Sequence, residues 1–236
     1  MNTSILVIGG YNSLWPIYLN MARHLEDVSG LQTIGVPLMP WHWWEASRTE
    51  NATHILDKIA GTVAWAGRKY GAGRFVLVGH SAGGLLARLY LCDQSVWGRV
   101  YGGAEQVRLL ITLGSPHCSH RNGSTGWYLA DVANRLAPGT PHADRIRYRA
   151  VAGRSVVGRS TGSYRERRAY RAYHFLAGEG ALWGDGIVPV RCATLEGAEQ
   201  ITLAGVGHSL KTGSNWYAGS LDRIRDWWPA GASDGD

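Results

Sequence analysis

Short apolar runs alternate along the chain with longer stretches in which apolar residues recur every three or four positions. The runs have the length of buried strands, and the recurring pattern is typical of helices that pack one face against a core. Strands are predicted at residues 5–8, 33–37, 75–78, 107–113, 147–152 and 200–203, and helices at 14–28, 49–70, directly after residue 81 and at 215–228. This alternation predicts an α/β fold with a mostly parallel sheet of about six strands and helices on both faces.

The length of 236 residues suits one α/β domain with a proper core, and no repeat or low-complexity linker divides the chain. We therefore predict a single domain over residues 1–236. Residues 119–141 follow the fourth predicted strand and contain a helical pattern, so we expect a small cap insertion there. The tail at residues 229–236 is rich in Gly, Ala, Ser and Asp, and we expect it to fray.

No apolar run approaches the roughly 20 residues that a membrane-spanning helix requires. Residues 5–8 lead directly into Gly9-Gly10 and lack the basic start and the cleavage site of a signal peptide, so they are predicted to be the first strand. Cys92, Cys118 and Cys192 are odd in number and widely spaced, which argues against a disulfide framework and against a zinc site. A reducing cytoplasm is the simplest compartment for such a chain.

The formal net charge is +6, and arginines supply it unevenly. They crowd one stretch, at Arg145, Arg147, Arg149, Arg154, Arg159, Arg165, Arg167, Arg168 and Arg171. Such a cluster can bind anionic headgroups or nucleic acid. We favour the simpler interpretation of a solvated face, because the first arginines alternate as along a strand and the last are spaced as on a helix surface.

Gly79, Ser81 and Gly83 have the Gly-x-Ser-x-Gly spacing of a nucleophile elbow, a sharp turn between a strand and a helix. The spacing has a steric cause, because a side chain two positions before or after the serine would collide with neighbouring backbone. An apolar run precedes the serine and a helical pattern follows it. Both flanks therefore favour Ser81 as a catalytic nucleophile over a chance match.

A serine nucleophile needs two backbone donors for the oxyanion. One is expected from Ala82, the residue after the serine, and the other from Tyr11, in the loop after the first strand. That loop begins with Gly9-Gly10, which could also form an ordinary turn or a phosphate-binding loop. It lacks the Gly-x-Gly-x-x-Gly spacing, and no Walker lysine follows, so phosphate binding is disfavoured.

The base is expected at His208, on the loop after the last predicted strand. His80 lies inside the elbow, facing away, and His117 follows a strand one position further along the sheet. The acid is expected at Asp185, between glycines, in the chain order serine, acid, histidine. Asp-Gly is also a common turn pair, and Asp131 and Asp144 are weaker candidates for the acid.

Tryptophans follow the second predicted strand, close to the expected active-site edge of the sheet. Trp41, Trp43 and Trp44 could bind an apolar acyl or aryl group of a substrate, or they could equally fill core beneath a small cap.

Four motifs together resemble the lipase and esterase branch of the α/β-hydrolases, and in particular the short hydrolases of cyanobacteria and plant chloroplasts. They are Gly-His-Ser-Ala-Gly-Gly at residues 79–84, Leu-Gly-Ser-Pro-His at 113–117, Trp-Gly-Asp-Gly-Ile-Val-Pro at 183–189 and Gly-Val-Gly-His at 205–208. The resemblance implies an α/β-hydrolase fold with Ser81 as nucleophile, Asp185 as acid and His208 as base. The chain departs from many lipases in having Gly9-Gly10 where they carry His-Gly.

The residues and the resemblance lead to the hypothesis of a serine hydrolase that cleaves carboxylic esters through an acyl-enzyme, without metal or cofactor. The expected partner is a small-molecule or lipid ester, and no nucleic acid; contact with a membrane surface stays open. An acyltransferase would use the same triad. A binding protein on a hydrolase fold is the third alternative, although a disused site has no physical need for a strained serine turn.

Overall fold

The computed structural model describes residues 2–118 and 128–231, with the backbone alone for residues 210–212. Its strands are β1 (Asn2–Ile8), β2 (Gln32–Gly35), β3 (Ala72–His80), β4 (Val107–Leu113), β5 (Arg147–Arg154), β6 (Val156–Val157), β7 (Trp183–Gly184) and β8 (Glu199–Ala204). The main sheet has the order β2-β1-β3-β4-β5-β8, and all of its neighbouring strands are parallel. The predicted six-stranded parallel sheet is therefore confirmed.

The helices are α1 (Leu19–Ser29), α2 (Pro40–Thr49), α3 (Thr53–Tyr70), α4 (Ala82–Leu91), α5 (Tyr128–Leu136), α6 (Tyr164–Ala177) and α7 (Leu221–Arg225). They cover both faces of the sheet. One face packs against α1 and α7, and the other packs against α3, α4 and α5. The central strands are apolar on both faces because each face is covered by helices, as in other parallel sheets.

The parallel strands bring several loops to one edge of the sheet. Ser81 directly follows β3, and the Gly9-Gly10 loop directly follows β1. Asp185 follows β7, and His208 lies four residues after β8 ends. Because these loops meet at the carboxyl edge, residues far apart in sequence become neighbours there.

Two predicted helices differ from the structure. The helix expected at residues 49–70 is α3, which begins only at Thr53, because the chain turns at Glu50, whose φ is 50°, and Asn51 Oδ1 accepts a hydrogen bond from the Thr53 amide. Helix α2, before this turn, was not predicted. The helix expected at 215–228 is only the short α7. Trp216 and Tyr217 are buried in irregular chain before α7, where apolar residues mimic helical spacing.

The predicted cap insertion at 119–141 and the predicted frayed tail at 229–236 fall partly outside the described residues, which omit 119–127 and 232–236. Within the described part of the insertion, residues 128–136 form α5, which packs against α4. Among the described residues, no helix has the length and apolar character needed to cross a bilayer.

A disulfide joins Cys118 to Cys192 across 74 residues of sequence, and Cys92 is free and buried. The expectation that the cysteines form no disulfide is therefore wrong, and the argument from cysteine usage for a reducing compartment loses its premise. The spacing of the cysteines along the sequence could not predict this pair. Cys118, in the loop after β4, and Cys192, after the Asp185 loop, become neighbours only when the chain folds.

The arginine-rich stretch divides between a strand and a helix. Arg149, on β5, is buried; its Nη2 donates to Glu199 Oε1 at 2.7 Å and its Nη1 to the Trp227 carbonyl at 2.6 Å. The interpretation of a solvated face is therefore wrong for Arg149, because its strand position turns it inward against the last turn of the chain. Arg165, Arg167, Arg168 and Arg171 are exposed on α6, as their helical spacing predicts.

Candidate active site

Ser81 sits in a backbone conformation that few side chains adopt, with φ 54° and ψ −126°. Its amide donates to the Leu113 carbonyl at 2.9 Å, which fixes the turn against β4. A Cβ on Gly79 would lie 2.5 Å from the Cα of Gly84, and one on Gly83 would collide with the Ile8 carbonyl of β1. The glycines of the motif are thus required by close backbone contacts, as the spacing predicts.

His208 lies between Ser81 and Asp185. Its Nε2 is 3.1 Å from Ser81 Oγ, and its Nδ1 is 2.7 Å from Asp185 Oδ2. The His208 amide also donates to the Asp185 carbonyl at 3.0 Å, so the two loops are joined through backbone as well as side chains. The structure therefore brings together the three residues that the sequence analysis selected, in the geometry of a nucleophile, a base and an orienting acid.

The Asp185 carboxylate is buried and fully hydrogen-bonded. Oδ1 accepts from the amides of Ile187 and Val188 at 3.0 and 2.7 Å, and Oδ2 accepts from the Tyr217 hydroxyl at 2.8 Å as well as from His208. Burial alone would raise the Asp185 pKa, but the His208 charge and these hydrogen bonds outweigh it and lower the pKa below its ordinary value. The carboxylate is therefore held in its charged form.

The weaker candidates for the acid are far less constrained. Asp131 lies on α5 and Asp144 in the turn before β5, and both side chains are exposed. Neither takes part in the hydrogen bonds around His208.

Tyr18 and His80 form a hydrogen-bonded bridge beneath the site. The Gly10 amide donates to the Tyr18 hydroxyl at 2.9 Å, and that hydroxyl lies 2.9 Å from His80 Nδ1. Since the tyrosine oxygen already accepts from Gly10, its proton points to Nδ1, and His80 Nε2–H donates to the His208 carbonyl at 2.9 Å. The bridge links the loop after β1 to the backbone of the histidine loop.

The bridge requires a neutral His80. Burial, together with the nearby His208 charge, lowers the pKa of His80 to about 3. His80 is thus a buried, neutral residue that supports the His208 loop, consistent with its exclusion as the base.

The two expected oxyanion donors lie on either side of Ser81. Ala82 is the first residue of α4, so its amide has no acceptor within the helix. Tyr11 follows Gly10, where an added Cβ would stand 2.9 Å from Ser81 Cβ, so the loop approaches the serine closely. Neither amide donates a hydrogen bond to any other described residue.

An apolar pocket of about 200 Å³ opens at Ser81. Its wall comes from α2, the elbow, the loop after β4, α5, α6 and the Asp185 loop, with Tyr11, Trp43, Ser47, Ala82, Leu85, Pro116, Tyr128, Leu129, Phe175, Leu176, Ile187 and Val188 around the serine. A larger cavity of about 540 Å³ lies beside the edge strand β2, where Trp15, Lys58 and Trp65 contribute to its wall. Ser81, Asp185 and His208 are absent from the wall of this larger cavity. The smaller pocket is therefore the candidate substrate site.

Of the three tryptophans, only Trp43 belongs to the pocket wall. The segment forms helix α2, and helical geometry turns Trp41 and Trp44 away from Trp43. Trp43 is 1% exposed, whereas Trp41 and Trp44 are 53% and 59% exposed. Trp41 and Trp44 therefore do not line the pocket, contrary to the sequence-based expectation.

Residues that the sequence analysis did not select complete the site. Tyr217 donates to Asp185 and accepts from the Gly153 amide at 2.8 Å, and its pKa is raised well above the ordinary value by burial and by Asp185. Its only sequence signal is proximity to His208 in the last loop. Tyr18 ends the short 3₁₀ helix Trp15–Tyr18 that follows the Gly9-Gly10 loop, and the sequence gives no sign that its hydroxyl reaches His80.

The fold is similar to the folds of several solved structures. Lipase BlEst2 from Bacillus licheniformis, in its mature form, superposes with a TM-score of 0.58 at 16% identity, covering 87% of this chain and 84% of that one. The lin2722 gene product of Listeria innocua gives 0.54 at 16% identity, covering 99% and 96%. Phospholipase PlaB from Legionella pneumophila gives 0.58 at 14% identity and covers 91% of this chain, which spans about half of PlaB, 54%.

The chain has an α/β-hydrolase fold. At the level of sequence, residues 51–147 match the family described as the PGAP1-like alpha/beta domain, which covers less than half of the chain. No curated protein matches the sequence. The narrower resemblance to hydrolases of cyanobacteria and chloroplasts stays a prediction.

Proposed function

We propose that this protein is a serine hydrolase that cleaves carboxylic esters with an apolar acyl group. The observation that carries the proposal is the hydrogen-bonded chain from Ser81 through His208 to Asp185 at the mouth of an apolar pocket. A small-molecule or lipid ester is the substrate that such a pocket suits, because its wall offers apolar surface to an acyl chain and few polar groups.

Acylation begins when Ser81 Oγ attacks the ester carbonyl carbon while His208 Nε2 takes the serine proton. Asp185 holds the imidazole so that Nε2 faces the serine, and it stabilises the imidazolium that forms. The amides of Ala82 and Tyr11 stabilise the tetrahedral oxyanion. When the intermediate collapses, the C–O bond to the leaving alcohol breaks, and His208 donates its proton to that alcohol.

Deacylation repeats these steps with water. His208 Nε2 takes a proton from water, whose oxygen attacks the Ser81 ester, and the proton then returns to Ser81 Oγ as the carboxylic acid leaves. Tyr217 and the two amides on Asp185 Oδ1 keep the acid charged throughout, which supports His208 as a base at neutral pH.

The test uses Ser81→Ala. A fluorophosphonate probe should label the natural protein and leave the variant unlabelled, and turnover of p-nitrophenyl esters should fall by about 10³-fold or more in kcat, as is usual for triad members. A far-ultraviolet circular dichroism spectrum controls for folding. Retention of more than about a tenth of the activity by the folded variant would show that Ser81 is not the nucleophile.

A second measurement separates hydrolysis from acyl transfer. Products are analysed with and without an added alcohol, because an acyltransferase differs only in admitting the alcohol in place of water. Free carboxylic acid as the main product under both conditions is the expected result. A new ester as the main product would identify an acyltransferase.

A further inference from the structure

Exposed aromatic side chains lie in the pocket wall and on the outer face of helix α2, which contributes to that wall. Tyr11 and Phe175 belong to the pocket wall, yet they are 50% and 39% exposed. Trp41 and Trp44 lie on α2, which also supplies Trp43 and Ser47 to the wall. Trp44 Nε1 donates to Asn12 Oδ1, next to Tyr11, at 2.9 Å. We call Tyr11, Trp41, Trp44 and Phe175 the aromatic rim; exposed apolar surface of this kind marks a contact site.

Helix α6 carries positively charged side chains on an exposed face that ends at Phe175 of the aromatic rim. Tyr164, Arg168, Arg171 and Phe175 are all exposed and are spaced by four, three and four residues, so they form one stripe on the helix surface. The stripe ends at Phe175, in the pocket wall. We call these four residues the basic stripe.

The charge of the basic stripe is not neutralised by the helix itself. The one acid on α6, Glu166, pairs with Arg159 at 3.3 Å. Arg168 and Arg171 form no ion pair with any residue that the structure describes. At the end of β5, Arg154 lies 4.7 Å over the ring of Trp183, so a further cation and aromatic ring stand together at the carboxyl edge of the sheet.

We propose that the aromatic rim and the basic stripe form a docking surface for a membrane that contains anionic lipids. Tryptophan and tyrosine rings occupy the headgroup region of a bilayer, and arginine binds lipid phosphate through its planar guanidinium. Nucleic acid fits this surface less well, because Tyr11 and Phe175 of the rim adjoin an apolar pocket rather than a groove along a phosphate chain. The inference rests on the proposed function only for the role of the pocket; docking itself needs no catalysis.

The test measures co-sedimentation of the full chain carrying Ser81→Ala, so that no lipid is cleaved, with vesicles of phosphatidylcholine alone or mixed with phosphatidylglycerol. Binding to the mixed vesicles should be the stronger. Arg168→Gln with Arg171→Gln should weaken it about 25-fold, from about fivefold per arginine near an anionic surface. The matched control is Arg74→Gln with Arg147→Gln, which removes the same charge from the opposite edge of the sheet, where β3 and β5 begin, and should change binding less than about twofold.

Trp41→Ser with Trp44→Ser should weaken binding to both kinds of vesicle, because these rings contact any bilayer. Equal binding to neutral and anionic vesicles, or equal losses in the two arginine pairs, would overturn the proposal. Displacement from vesicles by double-stranded DNA, without any effect of the tryptophan changes, would overturn it in favour of a nucleic-acid surface.

The same variants, with Ser81 intact, separate this proposal from the proposed function. Arg168→Gln with Arg171→Gln should leave turnover of p-nitrophenyl acetate unchanged while vesicle binding falls. Failure of the hydrolase proposal would appear instead as no turnover in a protein that still binds anionic vesicles.

Discussion

At the scale of single residues, the hydrogen-bond partners of Asp185 hold its carboxylate in the charged form. Both carboxylate oxygens receive two hydrogen bonds, from the Ile187 and Val188 amides and from Tyr217 and His208. All of these partners donate, so the site accommodates a group that only accepts. An asparagine side chain has two donor hydrogens on one of its atoms and therefore cannot satisfy the same partners.

Asp185→Asn is expected to lower kcat by on the order of 10³–10⁴-fold at neutral pH, because the amide can hold His208 in the tautomer that cannot accept the serine proton. Asp131→Asn and Asp144→Asn are the controls, since both carboxylates are exposed, and should leave kcat within about twofold. Kinetics on one soluble ester compare the three variants. Mild and equal effects would leave the proposed acid without support.

Local motifs in the sequence select three residues that lie together in the structure, but not the residues that support them. Ser81, Asp185 and His208 stand in short motifs whose spacing reflects local backbone geometry. Tyr18 reaches His80 across 62 positions, and Tyr217 reaches Asp185 across 32. Such partners depend on how separate elements pack, which local spacing does not encode.

At the scale of elements, α2 has two faces with different environments. Its inner face buries Trp43, whose Nε1 has no hydrogen-bond partner among the described residues, so that ring contributes apolar packing alone. The outer face exposes Trp41 and Trp44. The sequence did not predict α2, because consecutive aromatic residues show no helical period, and Pro40 suggests a break although it fits the first turn of a helix.

Trp43→Ala should lower the free energy of unfolding by about 3–5 kcal/mol, because it leaves a cavity between α2 and the pocket. It should also raise KM for octanoate esters more than for acetate esters, since only the longer chain reaches that wall, at about 0.8 kcal/mol per CH₂. Urea unfolding and kinetics on both esters measure the two effects.

Trp44→Ala is the matched control on the same helix. It removes an exposed ring and one exposed hydrogen bond to Asn12, so the loss of stability should stay below about 1 kcal/mol. Equal losses of stability from the two changes would contradict the burial of Trp43.

At the scale of the whole molecule, stability depends on His80 and His117, which are buried as neutral side chains. The pKa of His80 is lowered to about 3 by burial and by the His208 charge, and burial also lowers the pKa of His117 well below its ordinary value, as does Arg88 nearby. In the unfolded chain both histidines regain a pKa of about 6.5. Protonation therefore favours the unfolded state over the intervening pH range.

The free energy of unfolding should fall as pH falls below about 6.5, by up to about 1.4 kcal/mol per pH unit for each buried neutral histidine, because the unfolded chain binds protons that the folded chain does not. His80→Gln keeps a side-chain N–H donor and removes one of these groups, so its stability should decline less steeply. Urea unfolding between about pH 7 and pH 5 compares the slopes, above the range in which Asp185 titrates. Parallel slopes would contradict a neutral, buried His80.

The disulfide between Cys118 and Cys192 also limits how the pocket can deform. Pro116 lies two residues before one cysteine, and Val188 four residues before the other, and both belong to the pocket wall. The covalent link prevents these two parts of the wall from separating. Tyr11 and α2 also belong to the wall and are not joined by the disulfide, so the wall can adapt to a bulkier acyl group there. A shift of α2 to admit such a group would also move the exposed Trp41 and Trp44.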